Sequence, residues 1–226
     1  NIYNVDETGL FYRVLPRQTY LAPSENHKTA RGVKSMKAKE LFTTYICVSA
    51  SGTAKLTLVF KGTTANPRCF SEGKILLPKN IIYLNQTRAW SDTRTFGLWF
   101  RSLLRYIRKI KWKPVLFLID NHSGHASLED PNNQVKVMEF SPNYTSRHQP
   151  ADAGTIQVWK TLYKSALLSE RVDMMAEAPR LRQQAKALEI KAGTMGLVQD
   201  HQPHVLDAIE LGRVAWDKIT QETITR

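Results

Sequence analysis

Pro114-Val115-Leu116-Phe117-Leu118-Ile119-Asp120 carries an unbroken apolar run that ends on an acid. A short run of this kind, without polar alternation, is typical of a strand buried on both faces of a sheet. The run begins after a proline and is followed by Asn121-His122, which favours a loop. We therefore predict a central strand over residues 115–119, with Asp120 at its carboxyl end.

The start of the chain has the same pattern, because Ile2-Tyr3-Asn4-Val5-Asp6 is an apolar-rich strand that ends in an acid. Ser51-Gly52 is a turn-forming pair and predicts a hairpin. We expect the early strands to be antiparallel. Further strands are predicted at Phe11–Leu15, Leu41–Val48, Lys55–Lys61 and Val135–Phe140.

Two helices are predicted from helical spacing of apolar residues. Thr93 to Lys109 places an apolar stripe opposite a basic face that contains Arg101, Arg105 and Arg108. That face is either a solvated surface or a phosphate contact. A second helix is expected over Ala153–Leu168, with Asp152 at its start. The chain from residue 169 to residue 226 is predicted to be helical, with a break at 193–203.

Residues 16–39 are polar and basic and show no clear period, so we predict a long surface excursion. We expect its basic side chains to face DNA. They are Lys28, Arg31, Lys34, Lys37 and Lys39.

Charge indicates a polyanionic partner. The 226 residues carry 32 Lys and Arg against 20 Asp and Glu, a formal charge of +12. Such an excess favours nucleic acid through bulk attraction and counterion release, with an anionic membrane a distant second. No apolar run approaches the ~20 residues of a spanning helix. Cys47 and Cys69 make no disulfide framework, which favours a reducing compartment. We expect one domain over residues 1–226.

Asp6, Asp120 and Asp152 can meet if the two acid-ended strands are neighbours in one α/β sheet. Three converging carboxylates repel one another unless a divalent cation neutralises them. Oxygen-only ligands favour Mg²⁺ or Mn²⁺ over zinc. Each acid also has a structural interpretation: Asp6 as a turn residue, Asp120 as a strand terminator and Asp152 as a helix N-cap.

Other sites are weakly supported by the sequence. His122 and His125 stand near Asp120, but no cysteine or second histidine pair near them completes a zinc site. We expect His125 to pack or to orient Asp120 or Asn121. The glycines form no phosphate-binding loop and no nucleophile elbow is present, so nucleotide binding and serine or cysteine catalysis have no support.

Three blocks of this sequence resemble the catalytic blocks of the pogo-like transposases of the mariner/pogo superfamily, which include the domesticated jerky and centromere-protein-B group. The first is Tyr3-Asn4-Val5-Asp6-Glu7-Thr8-Gly9-Leu10 and the second is Leu118-Ile119-Asp120-Asn121-His122-Ser123-Gly124-His125. The third is Ser141-Pro142-Asn143-Tyr144-Thr145-Ser146 with Gln149-Pro150-Ala151-Asp152-Ala153-Gly154. The stretches around Lys61-Gly62 and from Val205 to Trp216 are also similar to that family.

The resemblance implies an RNase H-like fold, a mixed sheet flanked by helices, with Asp6 on the first strand, Asp120 after the fourth and Asp152 at a helix start. It implies that these acids hold two Mg²⁺ or Mn²⁺ ions, which activate water for hydrolysis at the transposon end before the freed 3′-hydroxyl attacks target DNA. Double-stranded DNA would be the partner and the nucleus the location, with a homodimer joining two ends. The family carries a helix-turn-helix region upstream of the first acid, and we expect such a segment to be missing here.

The sequence departs from the family pattern at Ser123-Gly124, at Ala151 and at Arg147-His148, and none of these positions belongs to the triad itself. The main alternative is a domesticated, non-catalytic DNA-binding or chromatin protein that keeps the domain as a scaffold. Three clustered acids argue against a pure scaffold, because their repulsion serves no structural purpose. A host nuclease of the same fold would share the metal chemistry but lack strand transfer.

Overall fold

The computed structural model describes residues 1–14, 40–56, 58–71, 77, 81–88, 92–109, 114–122, 125, 130, 132–141, 149–187 and 203–225. The described strands are β1 (Ile2–Phe11), β2 (Leu41–Ser49), β3 (Leu58–Gly62), β4 (Ile81–Asn85), β5 (Val115–Ile119) and β6 (Val135–Glu139). The helices are α1 (Arg68–Ser71), α2 (Thr93–Lys109), α3 (Ile156–Ala187, which continues a π-helical turn at Ala151–Thr155), α4 (Val205–Asp217) and α5 (Gln221–Thr225). The predicted excursion over 16–39, with all five of its named basic residues, lies outside the described residues.

These strands form one six-stranded mixed sheet in the order β4-β3-β2-β1-β5-β6. β1 pairs antiparallel with β2 on one side and parallel with β5 on the other. The parallel register sets Asn4 opposite Leu118, so two residues further along both strands Asp6 is level with Asp120. The mixed sheet flanked by helices confirms the RNase H-like fold that the resemblance implied.

The first strand is longer than predicted. β1 runs for 10 residues without interruption, because Thr8 and Gly9 pair with Thr44 and Thr43 of β2. Asp6 is therefore a mid-strand residue and not the end of a strand. The separate strand predicted at Phe11–Leu15 is wrong over its described part, since the chain turns directly after Phe11.

Two other strand predictions need correction. β4 was missed, because its run of four apolar or aromatic residues is too short to distinguish a strand from a turn of helix. As a result Asp120 follows the fifth strand in chain order and not the fourth. The strand predicted over Lys55–Lys61 is shorter, with Lys55 forming only an isolated bridge to Val48 and β3 beginning at Leu58.

The helices cover opposite faces of the sheet. α2 has the predicted bounds and buries Phe96, Trp99 and Leu103 against the face of β1 that carries Tyr3 and Val5. On the other face Trp159 and Tyr163 of α3 pack with Phe42 and Phe60. The predicted helix at Ala153–Leu168 begins earlier and runs much longer, to Ala187, and the closing helix predicted from Val205 to Trp216 is confirmed as α4. Most of the predicted break at 193–203 lies outside the described residues.

Gly212 of α4 allows the two helices of one face to approach the sheet. Its carbonyl oxygen accepts a 3.0 Å hydrogen bond from Trp159 Nε1, and an added Cβ would lie 2.8 Å from Phe60 Cζ. The close contact at Gly212 belongs to the core formed between α3, α4 and the sheet.

No helix in the described part of the chain is both long and apolar enough to cross a bilayer.

We expect Gly212→Ala to lower the free energy of unfolding by about 1–3 kcal/mol, because the Phe60 ring must move to accept the methyl group. Gly97→Ala on α2 is the matched control: its Cβ meets nothing within 4 Å, so helix propensity should raise stability by about 0.5–1 kcal/mol. Urea unfolding of the two variants beside the parent measures both effects. Equal effects of the two substitutions would contradict the packing described here.

Candidate active site

The three predicted acids meet where the carboxyl end of β5 lies beside the middle of β1. Asp6 is on β1 with only 8% of its surface exposed, Asp120 follows β5 directly, and Asp152 lies in the π-helical turn before α3. The parallel pairing of β1 with β5 brings Asp6 beside Asp120. Asp152 reaches them only because the turn that carries it is fixed to the same strands.

Two buried side-chain amides fix that turn. Asn4 accepts a 2.8 Å hydrogen bond from the Ala151 backbone N–H and donates one of 3.0 Å to the Leu118 carbonyl oxygen. Gln149 donates a 3.1 Å hydrogen bond to the Val5 carbonyl oxygen and accepts one of 3.3 Å from Asn4. Together they join β1, β5 and the π-helical turn, so the segments that carry the three acids are held as one unit.

Asp6 is electrostatically strained. Burial, and after it the charge of Asp152, raises the pKa of Asp6 to about 7. Asp120 also raises this pKa, whereas a 2.7 Å hydrogen bond from the Glu7 N–H lowers it. A side-chain hydrogen bond with Asp152 also contributes to the raised pKa of Asp6. The structure therefore places Asp6 in electrostatic interaction with both Asp152 and Asp120.

The structural interpretation of Asp152 as a helix cap is wrong. The N-cap residue is Pro150 and no side chain caps this helix, so the Asp152 carboxylate is available for other contacts. Asp6 is not a turn residue either, because it lies in the middle of a paired strand.

The acids do not surround a common point. Within the described residues, no group of three or more His, Cys, Asp or Glu side chains is placed to hold a metal ion. Asp120 Oδ1 is buried and lies 3.0 Å from His125 Nδ1, without a well-aligned hydrogen bond. The donor set itself fits a hard divalent cation, since all three side chains are carboxylates and the pKa of Asp6 is raised by burial and by the other two acids.

Glu7 belongs to the site but was not predicted from the sequence. Side chains alternate along a strand, so Asp6 faces α3 while Glu7 faces α2. Glu7 Oε2 lies 3.1 Å from Lys61 Nζ, and Glu7 Oε1 lies 3.3 Å from His125 Nε2. Two features of the sequence could have revealed this cluster: the adjacent acids Asp6 and Glu7 in one strand, and Lys61 directly after the apolar residues of β3.

The cations of this second cluster are deeply buried. Lys61 has no exposed surface and lies 4.0 Å from the centre of the Tyr45 ring. Burial lowers the pKa of Lys61 to about 8, although Glu7 opposes the decrease. Burial would also lower the pKa of His125, but its hydrogen bonds to Asp120 and Glu7 outweigh that effect and raise the pKa to about 10. The expectation that His125 packs near Asp120 agrees with this geometry, and Phe96 stacks on its ring with centroids 4.1 Å apart.

Lys160 is a further residue that the sequence did not reveal. It lies in the first turns of α3 and is partly buried, and burial lowers its pKa while Asp152 and Asp6 oppose the decrease. A cation therefore stands in the electrostatic field of the two acids on the α3 side.

The predicted DNA-binding face of α2 is described only in part. Arg101 and Arg105 are exposed on the side of α2 away from the sheet, and the side chain of Arg108 lies outside the described positions. Helical rise places Arg101 and Arg105 about 8 and 14 Å along the axis from Phe96, the α2 residue that touches the site. Contact of these arginines with DNA stays a prediction.

Comparisons with known proteins give a consistent picture. A family model described as DDE superfamily endonuclease matches residues 39–226. Tigger transposable element-derived protein 4 of Mus musculus is 25% identical over 226 residues, which cover 100% of this chain and 38% of the relative. Jerky protein homolog of Homo sapiens is 30% identical over 162 residues, or 68% of this chain and 27% of the relative. This chain thus spans well under half the length of either relative.

Among solved structures, the Mos1 transposase paired-end complex with left transposon end is similar over 69% of this chain and 40% of that chain, at 15% sequence identity and a TM-score of 0.44.

The raised pKa of Asp6 predicts how stability depends on pH in the presence of a chelator. An unfolded aspartate ionises near pH 4 but the folded Asp6 near pH 7, so ionisation destabilises the fold progressively between those values and fully above them. We expect Asp6→Asn to raise the free energy of unfolding at pH 8 by about 2–4 kcal/mol and by less at pH 5.

Denaturant unfolding of parent and variant at both pH values measures the difference. Asp173→Asn, on the exposed face of α3, serves as the control and should change little at either pH. A destabilised Asp6→Asn variant at pH 8 would contradict the electrostatic strain at this site.

Proposed function

This chain belongs to the DDE superfamily endonucleases, and from that membership we propose that it is the catalytic domain of a metal-dependent DNA transposase. Its proposed reaction is hydrolysis of a phosphodiester bond at a transposon end, followed by attack of the freed 3′-hydroxyl on target DNA. The observation that carries the proposal is the buried Asp6 carboxyl, which interacts with both Asp120 and Asp152 where β1 and β5 run side by side.

In this proposal Asp6, Asp120 and Asp152 bind two Mg²⁺ or Mn²⁺ ions. Bound there, the ions would supply nucleophile activation and stabilisation of the leaving oxygen, as in two-metal phosphoryl-transfer sites. A bound cation would favour the ionised form of Asp6, because its charge would offset the burial and the carboxylate repulsion that raise the pKa of this group. Asn4 and Gln149 hold the strands and the π-helical turn in register so that the acids need little rearrangement.

The proposed substrate is double-stranded DNA. The formal charge of +12 favours phosphate binding with little reading of base sequence. Lys160, close to Asp6 and Asp152, is suited to contact a phosphate next to the scissile bond. A DNA substrate of this kind is compatible with a nuclear location, and a homodimer that joins two transposon ends remains an expectation from the family resemblance.

The competing function is DNA binding without catalysis. It is favoured by one observation, namely that the acids in the described residues do not surround a common metal position. Both functions share the DNA-binding surface and differ only in whether a cation assembles the acids. Metal binding by the triad therefore distinguishes them.

We expect Mn²⁺ or Mg²⁺ to bind the parent protein and to raise its melting temperature by mass action, and the triple Asp6→Asn, Asp120→Asn, Asp152→Asn variant to lose both effects. Each single Asp→Asn variant should reduce cleavage of transposon-end duplexes to background, because the amide keeps the shape of the side chain but loses the charge that holds the ion.

Titration calorimetry and a cleavage assay measure the two effects, and circular dichroism checks that each variant is folded. Glu170→Gln, an acid on α3 outside the site, is the control and should match the parent. Undiminished ion binding by the triple variant would refute the site. A parent that binds DNA but neither binds ions nor cleaves would favour the non-catalytic alternative.

We expect DNA affinity to fall steeply with salt and to differ little between transposon-end and scrambled duplexes, because phosphate contacts supply the binding energy. Charge reversal at Arg101 and Arg105 should weaken binding and reduce the slope of log K against log salt by about 0.9 for each phosphate that the protein no longer neutralises. Calcium should improve affinity by occupying the acids without supporting efficient hydrolysis.

Fluorescence titrations across a salt series measure these slopes, with Lys218→Glu, an exposed lysine directly after α4, as the matched control. Strong preference for transposon ends with a flat salt response would contradict this mode of binding.

A further inference from the structure

A chain of charged side chains crosses the sheet and ends on Asp120. Lys61 of β3 contacts Glu7 of β1 at 3.1 Å, and Glu7 contacts His125 Nε2 at 3.3 Å. His125 Nδ1 in turn lies 3.0 Å from Asp120 Oδ1 and 3.1 Å from the Asp120 carbonyl oxygen. The two cations and two carboxylates therefore alternate in sign from β3 to the end of β5.

The contacts of His125 define its hydrogen-bonding role. The Asp120 carbonyl oxygen can only accept, so Nδ1 donates on that side. A carboxylate accepts as well, so Nε2 donates to Glu7. The imidazole is held in this orientation by the stacked Phe96 ring, and the backbone N–H of His125 donates a 2.9 Å hydrogen bond to the His122 carbonyl oxygen.

Stability alone does not account for this arrangement. Lys61 is fully buried and the His125 side chain is 3% exposed, and burying such charges costs about as much desolvation energy as their attraction returns. Apolar side chains of similar volume would fill the space under Phe96 and Tyr45 at no loss of stability. The buried charges of Lys61, Glu7 and His125 therefore indicate a function at Asp120, where the series of contacts ends.

Asp120 is the acid that needs such support. Asp6 is held within a paired strand, and the turn that carries Asp152 is fixed by Asn4 and Gln149. Asp120 instead follows the last residue of β5, and its Oδ1 atom is buried beside His125. Among the described residues, the cationic group nearest to that oxygen is the His125 imidazole.

We infer that His125 is a positioning residue that orients the Asp120 carboxylate toward the metal site, and that Glu7 and Lys61 position His125 from the α2 side of the sheet. The inference rests on the proposed function, because it concerns the orientation of Asp120, one of the three proposed metal ligands. It adds residues outside the triad to the set on which ion affinity depends.

Two substitutions at His125 separate this role from packing. His125→Asn keeps an N–H donor near the position of Nδ1, facing Asp120, and no longer reaches Glu7. His125→Gln reaches toward Glu7 and removes the donor beside Asp120. Both replace the ring by an amide, so the loss of stacking on Phe96 is similar in the two variants.

We expect Mn²⁺ affinity, measured by calorimetry, to stay within about threefold of the parent in His125→Asn and to fall about 10- to 100-fold in His125→Gln, at equal melting temperatures. Glu40→Gln is the control, because it removes the ion-pair partner of Arg13 away from the acids and should leave Mn²⁺ affinity unchanged. Crystal structures of both metal-free variants should show the Asp120 carboxylate in its parent orientation in His125→Asn and rotated in His125→Gln.

Equal Mn²⁺ affinities in the two His125 variants, or an unmoved Asp120 carboxylate in both crystal structures, would overturn the inference. A parent that binds no Mn²⁺ would instead refute the proposed function. In that case the orientation of Asp120 in the two metal-free structures still decides whether His125 positions it.

Discussion

The side-chain amide of Asn4 connects three parts of the chain that are far apart in sequence. One hydrogen bond links it to Leu118, 114 residues away, and another to Ala151, 147 residues away. Gln149 completes the connection by donating to Val5. Each of these groups is buried, so removing one partner would leave an unsatisfied polar atom at a cost of about 1–3 kcal/mol. This buried set of amides holds together the three segments that carry the acids.

The same strand explains why two neighbouring acids behave differently. Alternation along β1 directs Asp6 to the α3 side, where it meets a second carboxylate, and Glu7 to the α2 side, where it meets two cations. Burial and the neighbouring carboxylate therefore raise the pKa of Asp6, whereas Glu7 is paired with Lys61 and His125. One side of the sheet carries negative charge that a cation can neutralise, while the other side is already balanced by Lys61 and His125.

Parts of the fold and of the site could be predicted where the sequence signal lies within one segment, and not where it depends on contacts between distant segments. β5 and Asp120 could be predicted because a buried parallel strand has an unbroken apolar sequence. α2 could be predicted because its apolar residues recur with the period of a helix. Asn4 and Gln149 could not be recognised, since an amide reveals its role only when its tertiary partners are known. Lys61 was hidden for the same reason: a lysine after an apolar run suggests a strand that returns to solvent, yet here Glu7 and the Tyr45 ring hold it fully buried.

The two sides of the sheet also differ in what they contribute to folding without a cation. The paired charges around Glu7 satisfy one another in the folded chain, so that side is complete before any ligand is present. On the other side, burial and the neighbouring carboxylates disfavour the ionised form of Asp6, so its ionisation opposes folding. A site that is strained until a cation arrives couples ion binding to the stability of the whole domain. That coupling follows from placing Asp6 in the middle of a paired strand, where it cannot move away from Asp152 without breaking the pairing of β1 with β2.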